Sequence, residues 1–311
     1  MHTTKPGRTN VGGMATRVCV LGSVNMDSTL RVDSLPRPGE TVLASSFTQQ
    51  PGGKGANQAV AAARAGARVQ FVGAVGDDPA GQQLRAHLRA NGVGLDGTVG
   101  LSGPSGAAVV VVDAGGENSI VVAPGANGQL TLAAAHAREV VAACEVLLTQ
   151  LEIPVTTAVA AARAARAATA VVIVNASPAG QEQNSLAELA ALADVVIANV
   201  DEADEWPWRP THLVITLGAR GARYIGADGE FAVSAPAVEP VDTTGAGDVF
   251  AGVLAANWPR NPGSPAERLV ALRRACAAGA LATLVPGAGD CAPDADAIDA
   301  ALPGAFPYRG Y

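Results

Sequence analysis

The sequence predicts an α/β fold, a three-layer αβα sandwich around a mostly parallel sheet, with a small β-sheet set apart from it. Three observations carry this expectation. Short apolar runs recur along the chain and read as strands buried on both faces. Ala-rich segments of helical length alternate with them, the pattern of β-α-β units. Two pairs of more alternating segments, each split by a turn, come early and read as hairpins.

In chain order, residues 17–22 (Arg-Val-Cys-Val-Leu-Gly) form a buried first strand. Residues 27–36 and 41–50 flank the turn Pro36-Arg37-Pro38-Gly39 as a solvent-facing hairpin. A helix is expected over 56–65, a strand over 69–74, and a helix over 79–91 that Gly92 ends. Residues 107–113 and 119–123 flank the turn Ala114-Gly115-Gly116-Glu117-Asn118, a second hairpin. Further strands are expected at 146–150, 170–175, 195–198, 213–217 and 222–225. Helices are expected at 132–143, 155–168, 185–193, 246–257 and 266–284. The hairpins do not fit the parallel core and are expected to pair with each other.

At 311 residues the chain has ample length to bury a core. It is 49% hydrophobic and 16% charged, which marks a globular protein. A net charge of −7 argues against a nucleic-acid surface, which needs a basic face. Cys19, Cys144, Cys276 and Cys291 form no C-x-x-C pair and read as reduced thiols without structural zinc. The histidines show no metal-ligand spacing. Residues 1–16 lack the apolar stretch of a signal peptide and read as a flexible N-terminal extension, with Met14 as an alternative start and 17–311 as the folded unit. No apolar stretch reaches membrane-spanning length, so a soluble, cytoplasmic protein is expected.

Asp242-Thr243-Thr244-Gly245-Ala246-Gly247-Asp248 is the most informative stretch. A small-residue turn opens an apolar helix, whose first N–H groups lack intrahelical partners and face outward with the positive end of the helix dipole. Gly245 and Gly247 can adopt positive φ and admit a phosphate closely. Asp248 then lies where an attacking hydroxyl loses its proton, so an anion hole holds its own base. Taken alone, the stretch also fits a Gly-rich helix start capped by Asp.

Other candidates fall just beyond strand ends, where an α/β sheet places its ligands. Asn25 and Asp27 are two apart, face the same way on an extended segment, and suit a vicinal diol; an Asx turn is the alternative. Gly52-Gly53-Lys54-Gly55-Ala56-Asn57 is a glycine loop that is neither a Walker A loop nor G-x-G-x-x-G. It offers Gly53, Lys54 and Asn57 as contacts. Glu152 is a lone carboxylate after a strand. Asn199 and Glu202 share one face of a helical turn, and Glu202 suits Mg²⁺ held through water, although a solvated acidic patch reads as well. Thr216-Leu217-Gly218-Ala219-Arg220-Gly221 ends a strand in a turn able to cradle a nucleotide.

Together with Gly76-Asp77-Asp78, Gly116-Glu117-Asn118 and Gly125-Ala126-Asn127, these motifs resemble the ribokinase branch of the PfkB carbohydrate kinases, in order from about residue 17 to about residue 302. The resemblance implies a ribokinase-like fold and phosphorylation of D-ribose at O5 by ATP. Other PfkB acceptors (fructose, deoxyribose, a nucleoside) or a non-catalytic sugar sensor stand as alternatives. A nucleoside is disfavoured by the lack of an aromatic platform beside Asn25 and Asp27.

By resemblance, ribose is held by Asn25, Asp27, Gly53, Lys54, Asn57 and Glu152, with Asp248 as base and Gly245, Ala246 and Gly247 as the anion hole. ATP lies along Asn199 and residues 216–221, with Gly247 at its γ-phosphate and Cys276 near adenine. K⁺ is implied at Asp242, Thr244, Ala282, Val285, Gly287 and Cys291. The hairpins (27–50 and 107–123) resemble that family's lid and imply a homodimer. Departures are a short segment between Glu202 and Leu213, Ser105 where Thr is common, and Cys291 where Ser is expected.

Overall fold

The computed structural model describes residues 15–260 and 263–302. Of the extension expected over residues 1–16, residues 1–14 lie outside these, as do residues 303–311 at the other end. The chain opens with β1 (Arg17–Leu21), β2 (Asn25–Arg31), β3 (Ser46–Gly52) and α1 (Lys54–Arg64). It continues through β4 (Arg68–Val72), β5 (Ala74–Gly76), α2 (Pro79–Ala90), β6 (Val99–Leu101), β7 (Gly106–Val112) and β8 (Asn118–Ala123). Then come α3 (Ala135–Ala142), β9 (Val146–Thr149), α4 (Val155–Ala167), β10 (Val171–Asn175) and α5 (Gln183–Leu192). The rest comprises β11 (Val195–Ala198), α6 (Val200–Asp204), β12 (His212–Thr216), β13 (Ala222–Gly226), β14 (Gly229–Val233), α7 (Ala246–Asn257), α8 (Pro265–Ala282) and α9 (Ala295–Ala300).

Eight strands form the central sheet in the order β14-β13-β12-β11-β10-β9-β1-β4. Pairing is parallel from β4 to β12 and antiparallel at the β12-β13-β14 edge. Successive strand residues enter opposite cores, as a period of two requires. Val18, Val20, Leu148, Ile173 and Ile197 join α1, α7 and α8 on one side. Cys19, Leu21, Leu147, Val172 and Val196 join α3, α4 and α5 on the other. The sheet is therefore the middle layer of three. No helix among the described residues is long and apolar enough to cross a membrane.

The two early hairpins do pair, as a four-stranded sheet in the order β3-β2-β7-β8, with β2 and β7 parallel through Asn25↔Gly106. The first hairpin starts earlier than expected and is shorter: β2 ends at Arg31 and β3 resumes only at Ser46. Pro36 and Pro38 lack the N–H that a ladder needs. Further elements were not expected: β14 forms a hairpin with β13 through Gly226↔Gly229, β5 and β6 pair as a separate two-stranded sheet, and α9 is a short helix capped by Asp294. After Glu202 the chain passes from α6 straight to a buried Trp206, edge-on to Trp208 at 5.1 Å. These two indoles fill the layer where the connection to β12 is short.

Candidate active site

Helix α7 starts at a turn that only glycine can make. Gly245 has φ +79°, and a Cβ there would lie 2.8 Å from Ala288 Cα. The expectation of positive φ at Gly247 is corrected: this residue is already helical, and a Cβ on it would meet only open space. Its lack of a side chain leaves the approach to the helix end clear. No side chain caps α7; the Ala246 N–H reaches Thr243 O at 3.3 Å, and the following N–H groups of the turn remain for an anion.

Asp248, 9% exposed, lies in this first turn. Its Oδ2 accepts from Asn57 Nδ2 at 3.1 Å and its Oδ1 from Gln58 Nε2 at 2.9 Å. Both donors come from α1, which packs along α7; Gly252 admits this approach, since a Cβ there would overlap Gln58 O.

β2 carries Asn25 and Asp27 on one face, next to this carboxylate. Asn25 Oδ1 accepts from Asn127 Nδ2 at 2.8 Å, and Asn127 is itself held by the backbone of Val24. Asn25 therefore turns its own N–H₂ away from Asn127 as a donor. Asp27 Oδ1 is buried without a partner. Burial, then the Glu152 and Asp248 carboxylates, push Asp27 up to about 7. For Lys54, burial works to lower the pKa, but the attraction of Asp248, Glu152 and Glu202 outweighs it and the group is raised. Glu152 Oε2 accepts from Ser23 Oγ at 2.5 Å and from the Lys54 N–H at 3.3 Å. Gly53 has φ +89°, and a Cβ on it would sit 2.8 Å from Asn25 N.

The sugar-site candidates from residues 25, 27, 53, 54, 57, 152 and 248 thus share one neighbourhood. A cavity of about 330 Å³ adjoins it, lined in part by Ser23, Asn25, Asn127, Glu152 and, from the small sheet, Val122. Sequence reasoning missed Ser23 and Gln58 as contacts of the site's carboxylates.

Asn199 and Glu202 stand beyond β11 and form a reciprocal capping box: Glu202 N–H donates to Asn199 Oδ1, and Asn199 N–H to Glu202 Oε2, both at 2.8 Å. Thr216 ends β12 beside them, its hydroxyl 3.4 Å from Ala198 O. Residues 218–220 form a single 3₁₀ turn closed by Gly221 at φ +94°. Cys276 is 3% exposed, and its thiol points to Val233 O at 3.7 Å. The neighbouring cavity, about 210 Å³, is walled instead by Val233, Ser234, Pro236, Leu269, Arg273 and Ala277.

The residues expected around K⁺ also converge. Asp242 accepts N–H groups of Thr244 and Gly287, both at 2.9 Å. Burial would raise its pKa, but hydrogen bonds from Thr244 and Gly287 and the charge of Arg31 hold it below the usual range. The Cys291 thiol donates to Ala288 O at 3.4 Å and lies 3.9 Å from Thr244 O. Ala282 O accepts the Val285 N–H at 3.2 Å and keeps a second lone pair. The donor set is carboxylate and carbonyl oxygen, which fits a hard monovalent cation.

Known proteins resemble this chain in both sequence and fold. The model of the pfkB family carbohydrate kinases matches residues 15–295. A ribokinase of Bacillus subtilis (strain 168) is 39% identical over 241 residues, covering 75% of this chain and 82% of that protein. A ribokinase of Schizosaccharomyces pombe is 34% identical over 265 residues, covering 76% and 83%. The structure of Arabidopsis thaliana ribokinase complexed with ribose and ATP superposes with a TM-score of 0.84 at 29% identity, covering 94% of this chain and all of that one, 100%. With residues 15–295 matched by the family model and ribokinases 34–39% identical over most of their length, the chain belongs to the pfkB family of carbohydrate kinases.

Proposed function

We propose that the enzyme transfers the γ-phosphoryl group of ATP to O5 of D-ribose, giving D-ribose 5-phosphate and ADP. One observation carries the reading. Asp27 keeps a buried carboxylate oxygen unpartnered beside Asp248, the carboxylate at the anion-binding helix end. A hydroxyl-rich acceptor completes the first group and presents a second hydroxyl to the other. Asn25, Asp27, Gly53, Lys54, Asn57 and Glu152 hold the sugar.

In the transfer, O5 attacks phosphorus and its proton passes to Asp248, while the bond to the ADP oxygen breaks and its electron pair leaves with ADP. The transition state is loose, so the proton moves late and Asp248 mainly orients the oxygen before then. The N–H groups of Gly245, Ala246 and Gly247 face the charge spreading over the phosphoryl oxygens. ATP lies along Asn199 and residues 216–221. Arg273 and Ala277 replace Cys276 as the side chains that meet its far end.

Mg²⁺ bound with the nucleotide would neutralise phosphate charge, and Glu202, with only Oε2 engaged by the Asn199 N–H, would hold it through water. K⁺ at Asp242, Thr244, Ala282, Val285, Gly287 and Cys291 would supply fixed positive charge beside the anion-hole turn. The four-stranded sheet acts as a lid over the sugar and as the contact of a homodimer. A cytoplasmic location fits its use of ATP and its free, buried cysteines. The test is an ADP-release assay over pentoses, hexoses and nucleosides, with the product identified by phosphorus NMR. Ribose should give the highest kcat/KM; a better hexose or nucleoside acceptor overturns the assignment.

A further inference from the structure

Asp248 is held by a second amide that the reaction as described does not use. Gln58, fully buried on α1, donates from Nε2 to Asp248 Oδ1 and to Asn175 Oδ1, each at 2.9 Å. Its Oε1 accepts from Gln150 Nε2 at 2.6 Å. Asn175 ends β10 and Gln150 follows β9, so helix and sheet meet at this one amide.

The direction of the relay is fixed by the backbone. Asn175 Nδ2 donates to Ile197 O at 3.2 Å. A carbonyl only accepts, so Asn175 must turn its nitrogen to Ile197 and its oxygen to Gln58. Gln58 must answer with its own nitrogen, whose second N–H then faces Asp248. Turned over, the Gln58 amide would set oxygen against both Asn175 and Asp248, and nitrogen against Gln150. The Ile197 carbonyl thus decides, through two side-chain amides, which group meets the carboxylate.

Gln150 carries a cost of this arrangement. Its Oε1 is buried without a partner, directed at Gly22, where any Cβ would overlap it. Flipping Gln150 would put oxygen against oxygen at Gln58. A core built for stability alone would place an apolar side chain here.

We propose that Gln58 is a positioning residue for phosphoryl transfer, holding Asp248 through Oδ1 in the rotation that presents its carboxylate to the acceptor hydroxyl. This rests on Asp248 being the base. Asn57 on Oδ2 alone leaves the carboxylate free to turn about Cβ–Cγ, and a donor on the other oxygen removes that freedom. Proton transfer needs hydrogen-bond reach, and misplacement of the acceptor slows the reaction more than it weakens binding. Loss of Gln58 therefore falls on kcat.

The experiment measures kcat, both KM values and the kcat–pH profile for Gln58→Met and Gln58→Glu, each alone and combined with Asp248→Asn. Gln58→Met should lower kcat by about 10- to 100-fold with both KM values within about threefold. Gln58→Glu sets a second carboxylate against Asp248, the two share a proton, and the acid limb of the profile should move up by about one pH unit or more. In the Asp248→Asn background neither substitution should lower the residual rate further, because both act through a group already removed. Wild-type kcat and acid limb in Gln58→Glu, or equal losses in both backgrounds, overturn the positioning role alone. If Gln58→Met does not fold, the acid limb of Gln58→Glu decides. Near-normal turnover in Asp248→Asn itself overturns the base assignment and this proposal with it.

Discussion

Gly52 and Asp27 compete for one volume: a Cβ built on Gly52 would overlap the Asp27 carboxylate, meeting Oδ2 first. The two are brought together by the β2-β3 ladder, in which Asn25 faces Gly52 and Asp27 faces Gln50. Gly52→Ala should therefore displace the carboxylate while leaving the helix end untouched. Losing a hydrogen bond to a charged partner costs about 1–3 kcal/mol, so KM for ribose should rise about 10- to 100-fold. KM for ATP should stay within about twofold of wild type. Equal losses for both substrates would point to misfolding instead.

Asp27 gives a pH dependence with a definite sign. Its folded value is pushed up to about 7, so between the unfolded value of about 3.9 and pH 7 the folded state binds more protons. Stability is then fullest at low pH and falls as pH rises through that window, by about 4 kcal/mol at most. Asp27→Asn should raise Tm relative to wild type at pH 8, with the gain vanishing near pH 4. Ribose hydroxyls donate best to the ionised form, so KM for ribose should climb as pH falls below about 7. A pH-independent Tm difference between the two proteins would remove the buried charge as its cause.

Much of this was legible locally. Residues 195–198 and 246–257 are strand and helix as read, because each apolar run is bounded by polar or glycine residues. β14 escaped although Asp228-Gly229 is a hairpin signal: Gly-Glu-Phe-Ala-Val is a mostly exposed edge strand with little apolar weight. Asn25, Asp27, Lys54 and Asp248 stood out because strand ends and glycine turns mark where ligands go. Gln58 did not. It is embedded in an Ala-rich helix, and its partners Gln150 and Asn175 are 92 and 117 residues away in sequence. Only the packing of α1 on sheet and α7 reveals its use.

Asp248→Asn separates binding from chemistry. The amide keeps the shape and one oxygen, so the sugar should still bind, but it cannot take the O5 proton. kcat should fall by about 10²–10⁴, the usual scale for loss of a general base. Single-turnover kinetics with unchanged ribose affinity would support the role. Turnover within about threefold of wild type would refute it.

The small sheet presents apolar side chains to solvent in a single chain: Phe47 is 58% exposed, Ile120 56%, Val121 67% and Val122 48%. Three of these are consecutive on β8, more than a solvated strand needs. A second copy packed on this sheet, as proposed, would bury part of this apolar surface, and Val122 also lines the sugar-side cavity. Light scattering should give a mass near twice 31.0 kDa. Val121→Asp should shift it to the monomer and raise KM for ribose. A strict monomer with full activity in the wild type would rule out dimerisation through the lid.

With K⁺ bound as proposed, Cys291 should set how much of the cation the enzyme needs. The segment that carries it is tied to the anion-hole turn by Asp242, which accepts the Gly287 N–H, and by the Cys291 thiol near Thr244 O. A cation between these oxygens would touch no substrate; it would set the aim of the Gly245, Ala246 and Gly247 amides and so act on kcat. Burial, and then the Asp248 and Asp242 carboxylates, raise Cys291 to about 11 against the lowering by its own backbone, so the group is a neutral thiol at working pH. A neutral sulfur is a poor ligand for a hard cation, and its S–H is directed at Ala288 O at 3.4 Å. Activation should therefore persist through the carbonyls and Asp242 but demand high K⁺. Cys291→Ser replaces the sulfur with an oxygen that can coordinate, and half-activation should occur at severalfold lower K⁺ with the maximal kcat little changed. Rates are compared in K⁺, Na⁺ and a bulky quaternary ammonium salt at equal ionic strength. Identical rates in all three salts would remove the cation site, and an unchanged K⁺ requirement in Cys291→Ser would remove the part given to the thiol.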